Sequence, residues 1–209
     1  MKNRIESLLS TAYVIAAILG ANAASAQTLA SLPTTSAPAS PVGEARPLSA
    51  WIGFCEREPA ECAVNIAEPE TIVLTPQTWQ AIVTVNRKVN VTIKPVTDQD
   101  HWGVADRWDI PSDGMGDCED FQLLKRKLLA EIGLPRRAMR MTVVVDEKRE
   151  GHAVLMIRTD RGDVVLDNKT SAVLPWHQTG YVYIKREGQS SMAWVSLGGA
   201  TSPTVTANP

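Results

Sequence analysis

The sequence predicts an α+β domain in which helices pack on one face of an antiparallel sheet. Two stretches with apolar residues at helical spacing come first, one after Pro76 and one after Cys118. Stretches that alternate and are rich in β-branched residues come later in the chain. Helices followed by antiparallel strands are typical of α+β domains.

The N-terminus has the features of a secretory signal peptide over residues 1–26. Two basic residues precede an apolar run over residues 12–19, and small residues at 24–26 form a cleavage site. The apolar run is shorter than the roughly 20 residues that a transmembrane helix needs. We therefore expect a periplasmic or secreted mature chain without a transmembrane segment.

Composition divides the mature chain into three parts. Residues 27–47 are rich in Ser, Thr, Ala and Pro and have no hydrophobic periodicity, which predicts a flexible leader. Residues 48–197 have the length of one domain. Residues 198–209 are polar and predict a disordered tail.

The charge of the whole chain is nearly balanced, at 21 basic and 23 acidic residues, which argues against nucleic-acid binding.

The predicted elements follow in order. Thr75 and Pro76 are typical of a helix start, and the pattern continues to about residue 91. A long loop of turn-forming residues over 95–112 follows, and such loops are usually functional or ligated. The helix that begins at Cys118 ends at Gly133.

Four strands are predicted after the second helix, and the second and third of them form a hairpin. The tight loop Asp160-Arg161-Gly162-Asp163 joins these two strands. The β-branched and alternating residues that indicate strands cover residues 139–145, 153–158, 164–166 and 181–185.

The three cysteines have different expected roles. Cys55 and Cys62 are close in sequence in an exported chain, which predicts a disulfide between them. Cys118 is then the odd thiol, which suggests an intermolecular bridge or a reactive nucleophile. A lone cysteine is more often a small buried apolar residue. The acidic neighbours of Cys118 favour the nucleophile.

The position of Cys118 creates an electrostatic conflict. A thiol at a helix N-terminus faces backbone N–H groups that stabilise its thiolate. The carboxylates of Asp117, Glu119 and Asp120 would raise the cysteine pKa unless a cation neutralises them. This conflict is a first indication of a metal beside the thiol.

A cysteine nucleophile needs a base, and the base needs a group that orients it. His152 opens one strand of the predicted hairpin and Asp167 ends the other, and strand alternation puts both on one face if there is no bulge. A histidine at a strand start is often a surface residue, and an aspartate at a strand end is often a turn former. Their order after Cys118 is that of papain-like and transglutaminase-like cores.

Three short motifs strengthen this interpretation. Residues 116–121 (Gly-Asp-Cys-Glu-Asp-Phe), 151–153 (Gly-His-Ala) and 166–168 (Leu-Asp-Asn) resemble motif blocks of the bacterial transglutaminase-like cysteine peptidases, including their periplasmic LapG-like branch. The resemblance covers about residues 51–197. It implies that Cys118 is the nucleophile, His152 the general base and acid, and Asp167 the orienting residue.

The resemblance also implies a Ca²⁺ cofactor. In the LapG-like branch the acidic residues beside the cysteine bind calcium, and Asp117, Glu119 and Asp120 match those positions. Hard oxygen ligands suit Ca²⁺, and Asp98, Asp100 and carbonyl oxygens of the preceding loop could complete the shell. The alternative is that the acidic residues only cap the helix and complement its dipole.

The expected function is that of a periplasmic cysteine endopeptidase that hydrolyses protein amide bonds through a thioester. Its substrate would be a cell-surface or periplasmic protein, and a regulatory membrane receptor is among the partners considered. The Cys118 N–H would donate to the oxyanion, with Trp102 and Trp108 as candidates for a second donor. Transglutaminase-type crosslinking and a non-catalytic, calcium-ordered binding module are the alternatives.

Overall fold

A computed structural model describes residues 31–200 and 202–206. The predicted signal peptide, residues 1–26, lies outside the described residues. Helices pack on a seven-stranded sheet in which every neighbouring pair of strands is antiparallel. The predicted α+β class is therefore confirmed.

Five α-helices and two short 3-10 helices lie in the described part of the chain. Two of them correspond to the predicted helices after Pro76 and Cys118. Their bounds are α1 Ser49–Arg57, α2 Pro59–Cys62, α3 Pro76–Thr92, α4 Asp98–His101, α5 Cys118–Glu131, η1 Arg136–Ala138 and η2 Trp176–Gln178.

The strands include the four predicted ones with slightly different ends, together with several short strands at the sheet edges. The large sheet has the strand order β1-β9-β8-β4-β5-β6-β7, and a small parallel pair is formed by β2 and β3. The bounds are β1 Gly43–Ala45, β2 Lys94–Pro95, β3 Met115–Gly116, β4 Met139–Val145, β5 Gly151–Thr159, β6 Gly162–Leu166, β7 Leu174–Pro175, β8 Val182–Glu187 and β9 Trp194–Ser196.

The main core lies between α5 and the inner face of the sheet. Side chains of α5 such as Leu123 and Leu129 are fully buried against Met141 of β4 and Leu155 of β5. Each fully buried aliphatic side chain of this size stabilises the fold by about 1.5–3 kcal/mol. The helix that carries Cys118 is thus held against the two central strands, and β5 is the strand that carries His152.

A buried ion pair fixes α5 further. Arg126 donates to Glu187 of β8 at 2.7 Å, and both side chains are almost completely buried. Glu187 also accepts hydrogen bonds from the indole N–H of Trp51 and the backbone N–H of Met141. Loss of one partner from such a pair costs about 3–5 kcal/mol because it leaves a buried charge uncompensated.

The leader, predicted to be flexible over residues 27–47, is ordered in its described part, residues 31–47. Its strand β1 pairs with β9, and Ala39 is buried on the outer face of the sheet. The N–H of Ala39 donates to Asp163 at 2.8 Å, and its carbonyl accepts from Arg158. Local composition shows neither the apolar outer face of the sheet nor the hydrogen-bonding groups on it, so these contacts could not be read from the sequence.

The tail, predicted to be disordered from residue 198, also makes defined contacts where it is described. Gly199 donates to the carbonyl of Tyr183, and Thr206 is fully buried. Long-range hydrogen bonds hold this segment, and no pattern in its polar composition predicts them. The tail therefore belongs to the folded unit as far as residue 206.

The predicted disulfide between Cys55 and Cys62 is present, and it closes the segment that contains α1 and α2. Cys118 is a buried thiol. Among residues 31–200 and 202–206, no helix is long and apolar enough to cross a membrane.

Candidate active site

The N-terminus of α5 presents Cys118 as its first helical residue. Asp117 is the N-cap, and its backbone N–H donates to the carboxylate of Asp120 at 3.4 Å. A Cβ atom at Gly116 would lie 2.7 Å from the Cβ of Asp120, so only glycine fits before the cap. This local packing sets the direction in which the thiol enters the molecule.

The Cys118 thiol lies among one donor and two acceptors. The backbone N–H of Ala153, at the start of β5, donates to Sγ at 3.4 Å. Sγ lies 3.2 Å from Glu119 Oε2 and 2.5 Å from the backbone oxygen of Thr206. The N–H and the helix N-terminus favour a thiolate, whereas the Glu119 carboxylate opposes it.

His152 and Asp167 form a hydrogen-bonded pair, which we call the His–Asp pair. His152 Nε2 lies 2.9 Å from Asp167 Oδ1, and both side chains are buried. The register Leu155 to Leu166 puts Asp167 opposite Val154, two residues from His152 and hence on the same face. The side chains bridge that offset, and the sequence pattern alone left the register open.

Asp167 is surrounded by further donors. It accepts from Tyr181 Oη at 2.6 Å and from the N–H of Lys169 at 3.0 Å. Burial acts to raise the pKa of Asp167, but the hydrogen bond and charge of His152 and the hydrogen bond from Tyr181 outweigh it, and the pKa is lowered. The carboxylate is therefore ionised at neutral pH.

The ionised state of Asp167 determines the tautomer of His152. A carboxylate only accepts hydrogen bonds, so Nε2 of His152 carries the hydrogen and Nδ1 is left as the basic nitrogen. Nδ1 is buried and has no hydrogen-bond partner among the described residues. His152 also precedes Ala153, the residue whose N–H contacts the thiol.

A second group of buried polar residues, which we call the acidic cluster, consists of Asp98, Asp117 and Glu119. One carboxylate oxygen from each lies within 4.8 Å of the others, a spacing that a single metal ion can bridge. Asp117 Oδ1 and Glu119 Oε1 are buried and accept no hydrogen bond from the described residues. The oxygens thus fit a hard cation such as Ca²⁺.

The electrostatics of this region are unfavourable without a cation. Burial, followed by the charge of Asp117, raises the pKa of Asp98 to about 6. Burial and the charges of Asp98 and Asp117 raise the pKa of Asp106 to about 7. Burial also raises the pKa of Glu119 well above its ordinary value, and the charge of Cys118 adds to this. A bound cation would remove most of this penalty.

The cluster differs from the predicted ligand set at one position. Asp120 was expected beside Asp117 and Glu119, but its two oxygens accept the backbone N–H groups of Asp109 and Asp117. Burial raises the pKa of Asp120 to about 9. Asp98 takes its place in the cluster. Asp100, the other loop residue considered, is exposed.

The two tryptophans considered as oxyanion donors have different surroundings. Trp102 is 42% exposed and stacks on His101. Trp108 is fully buried, and its indole Nε1 donates to Thr206 Oγ1 at 3.2 Å. The backbone oxygen of Thr206 also contacts Cys118 Sγ, so Trp108 is linked to the thiol through Thr206.

The sequence interpretation missed three residues of the site. Tyr181 was assigned only to a strand, although a tyrosine after a glycine at a strand start can donate to a neighbouring carboxylate. Asp106 was one of many acidic residues in the loop. Thr206 lies far from every motif in sequence, and no local pattern distinguishes it.

Helix α5 thus presents a buried cysteine to β5, and His152 of β5 is hydrogen-bonded to Asp167, which follows β6. Residues 42–202 match the family described as bacterial transglutaminase-like cysteine proteinase. The chain belongs to this family of cysteine peptidases. No curated protein sequence matches it.

Solved structures of LapG from Legionella pneumophila are similar to the chain. The first has 25% identity and a TM-score of 0.44, and the match covers 51% of this chain and 61% of that one. The calcium-bound form has 21% identity, a TM-score of 0.48 and coverages of 63% and 84%. The EGTA-treated form has 22% identity, a TM-score of 0.49 and coverages of 59% and 70%. The family assignment rests on the match over residues 42–202.

Proposed function

We propose that this protein is a periplasmic endopeptidase in which Cys118, His152 and Asp167 act as nucleophile, base and orienting residue. The observation that carries the proposal is the state of the His152 ring. Asp167 holds Nε2 at 2.9 Å, and Nδ1 remains as an unpartnered basic nitrogen one residue from the N–H that contacts Sγ. A histidine in this state can accept the thiol proton.

The reaction would proceed by acyl transfer. Nδ1 of His152 takes the thiol proton, and Cys118 Sγ attacks the carbonyl carbon of a substrate amide. The imidazolium then gives its proton to the departing amine and leaves a thioester. His152 next activates a water that hydrolyses the thioester. Asp167, whose pKa is lowered, stabilises the imidazolium in both steps.

The developing oxyanion needs preorganised donors. The backbone N–H of Cys118, at the N-terminus of α5, is the first candidate donor. The indole N–H of Trp108 is the second candidate because it is buried and already donates to a group that contacts the thiol. Removal of one oxyanion donor typically lowers kcat by about 100- to 1,000-fold.

We further propose that the acidic cluster binds calcium. Asp98, Asp117 and Glu119 would hold the ion, which would neutralise the carboxylates next to the thiol. The buried Asp117 and Glu119 oxygens that accept no hydrogen bond support this assignment. The backbone N–H of Asp98 also donates to the carboxylate of Asp117 at 3.1 Å, and this hydrogen bond helps to hold the N-terminus of α5 in place.

The cellular setting is part of the proposal. The signal-peptide pattern over residues 1–26 and the Cys55–Cys62 disulfide both suit an oxidising compartment such as the periplasm. The substrate would be a protein in that compartment or on the cell surface. A membrane receptor that regulates access to the enzyme stays a prediction from the family resemblance.

The test is a search for newly formed protein N-termini. The mature chain is incubated with a periplasmic and outer-membrane protein extract in the presence of Ca²⁺ and a labelled primary amine, and products are identified by mass spectrometry. We expect new N-termini that are absent with the Cys118→Ala variant. A Ser substitution is less suitable as a control because its hydroxyl retains weak nucleophilicity.

Two outcomes would contradict the proposal. Incorporation of the labelled amine into glutamine side chains without peptide cleavage would indicate crosslinking. Products that are identical for the native chain and Cys118→Ala would leave the binding-module hypothesis as the better account. Capture of a partner protein by both chains would support that hypothesis.

A further inference from the structure

The end of the described chain, residues 202–206, lies directly over the thiol. The backbone oxygen of Thr206 is 2.5 Å from Cys118 Sγ. The segment also passes close to the start of β5, because a Cβ atom at Gly151 would lie 2.7 Å from the Cβ of Pro203. Gly151 therefore leaves room for a peptide backbone beside His152.

The side chain of Thr206 occupies a pocket in which its hydroxyl can both accept and donate a hydrogen bond. Trp108 Nε1 donates to Oγ1 at 3.2 Å. Oγ1 in turn lies 3.4 Å from Asp106 Oδ1 and 3.4 Å from Glu119 Oε2, so its hydrogen can be donated to a carboxylate. The pocket thus suits a small side chain that both accepts and donates a hydrogen bond.

The segment covers the groups that would react. Cys118 and His152 are both fully buried, whereas Thr204 and Val205 of the covering segment are exposed. A protein substrate must place its carbonyl carbon against Sγ, so it needs the space that Thr206 occupies. The contact with Sγ is made by the Thr206 carbonyl oxygen as an acceptor, so the segment occupies the position that a substrate carbonyl needs.

We propose that the cleft over Cys118 is a peptide-binding site whose resident occupant is the chain's own C-terminal segment, residues 202–206, acting as a pseudosubstrate. The site accepts an extended peptide with a threonine side chain between Trp108, Asp106 and Glu119. The segment must leave before a protein substrate reaches the thiol. This inference rests on the proposed function for the identity of the nucleophile.

The experiment compares the mature chain with a chain that ends at Ala200. The shorter chain keeps the Gly199 N–H to Tyr183 hydrogen bond, so the edge of β8 is preserved. A point variant, Thr206→Val, keeps the shape of the side chain and removes the hydroxyl. Thr204→Val makes the same change two residues away on an exposed side chain and is the matched control.

The first readout is the rate constant for alkylation of Cys118 by iodoacetamide at fixed Ca²⁺ concentration. We expect truncation to raise it by about tenfold or more, because the thiol then reacts without waiting for the segment to open. Thr206→Val should raise it by a smaller factor, and Thr204→Val should leave it unchanged. Melting curves of all four chains check that each is folded.

The second readout is binding in trans. A synthetic peptide of residues 200–209 should slow alkylation of the truncated chain, and the same peptide with Thr206→Val should slow it less. Equal alkylation rates for the mature and truncated chains would overturn the inference. Cys118-dependent loss of the C-terminal residues, seen as a mass change, would also overturn it because the segment would then be a substrate.

Peptidase assays on the same chains separate this inference from the proposed function. The truncated chain could be alkylated faster while neither chain shows Cys118-dependent cleavage. That result would support the occupied cleft and contradict the proposed peptidase activity. If both chains cleave substrate at the same rate and are alkylated at the same rate, the peptidase activity is supported and the pseudosubstrate role is contradicted.

Discussion

The His–Asp pair and the acidic cluster are both buried polar groups near Cys118, yet their charges are balanced in different ways. Asp167 accepts hydrogen bonds from His152, Tyr181 and a backbone N–H, and its pKa is lowered. In the acidic cluster, burial raises the pKa of each carboxyl, and the charge of Asp117 raises the pKa values of Asp98 and Glu119 further. The donors to Asp167 come from neighbouring groups of the protein, whereas Asp117 and Glu119 each keep a buried oxygen that accepts no hydrogen bond from the described residues.

This difference indicates two kinds of task. A buried carboxylate that is fully hydrogen-bonded can hold a neighbouring imidazole in one tautomer. Buried carboxylates with raised pKa values and unused oxygens are costly unless a cation binds them. These differences support the roles proposed above, orientation of the base for the first group and cation binding for the second, and four measurements test them.

The largest effect is expected for Asp167→Asn. The amide keeps the shape of the side chain but no longer requires hydrogen on Nε2, and it cannot stabilise the imidazolium. We expect kcat to fall by about 1,000-fold or more, as for loss of the orienting aspartate in a triad. KM should change little. A loss of less than tenfold would show that Asp167 has only a structural role.

The next effect concerns calcium and thermal stability. Saturation at about 100 times Kd should add about 2.7 kcal/mol, which raises Tm by about 5–11 °C in a domain of this size. Chelation should reverse the gain. Asp117→Asn should abolish the calcium response while keeping a good N-cap. Asp100→Asn, a matched change outside the cluster, should retain it. An identical melting curve with and without chelator would refute the calcium site.

A smaller effect is expected in the pH dependence of stability in chelator. Asp98 and Asp106 have folded pKa values of about 6 and about 7, above their ordinary value of 3.8. At pH values between the ordinary pKa of 3.8 and these raised pKa values, the folded state binds more protons than the unfolded state. The free energy of unfolding therefore falls as pH rises through this range. Tm in chelator should therefore be higher at pH 5 than at pH 7.5.

Calcium should reduce this pH difference because the ion binds the ionised carboxylates and is held better at higher pH. The lowered pKa of Asp167 acts with the opposite sign, but only as pH falls below the ordinary value of 3.8, outside this window. A Tm in chelator that rises from pH 5 to pH 7.5 would contradict the raised pKa values of the cluster.

The smallest effect is expected for Tyr181→Phe. The change removes one donor to Asp167 and leaves the bonds from His152 and Lys169 in place. A hydrogen bond to a charged group is worth about 1.5–3 kcal/mol, so stability should fall by no more than this. Activity should fall far less than with Asp167→Asn. An equal loss of activity in both variants would mean that Tyr181 takes part in catalysis.

Short-range patterns made some predictions possible. Helical spacing after Pro76 and Cys118 predicted α3 and α5, and strand alternation predicted that His152 and Asp167 share a face. The Cys55–Cys62 disulfide followed from closeness in sequence. In each case the residues that interact are near neighbours or lie on one hairpin, where backbone geometry limits the possible partners.

Long-range choices could not be predicted in the same way. Asp120 was expected as a metal ligand, but its carboxylate accepts two backbone N–H groups, one of them from the loop that ends at α5. Asp98 joins the cluster because α4 places it beside Asp117. The sequence offers several acidic residues to the site, and only the path of the loop selects among them.

The class of fold, the motif residues Cys118, His152 and Asp167, and membership of a cysteine peptidase family follow from the sequence. The folded structure was needed to show which acidic residues meet, which His152 nitrogen has a partner, and that residues 31–47 and 202–206 pack on the domain. Periodicity is a local property of the chain and can be read residue by residue. The contact between Thr206 and Cys118 joins residues 88 positions apart, so no local pattern in the chain predicts it.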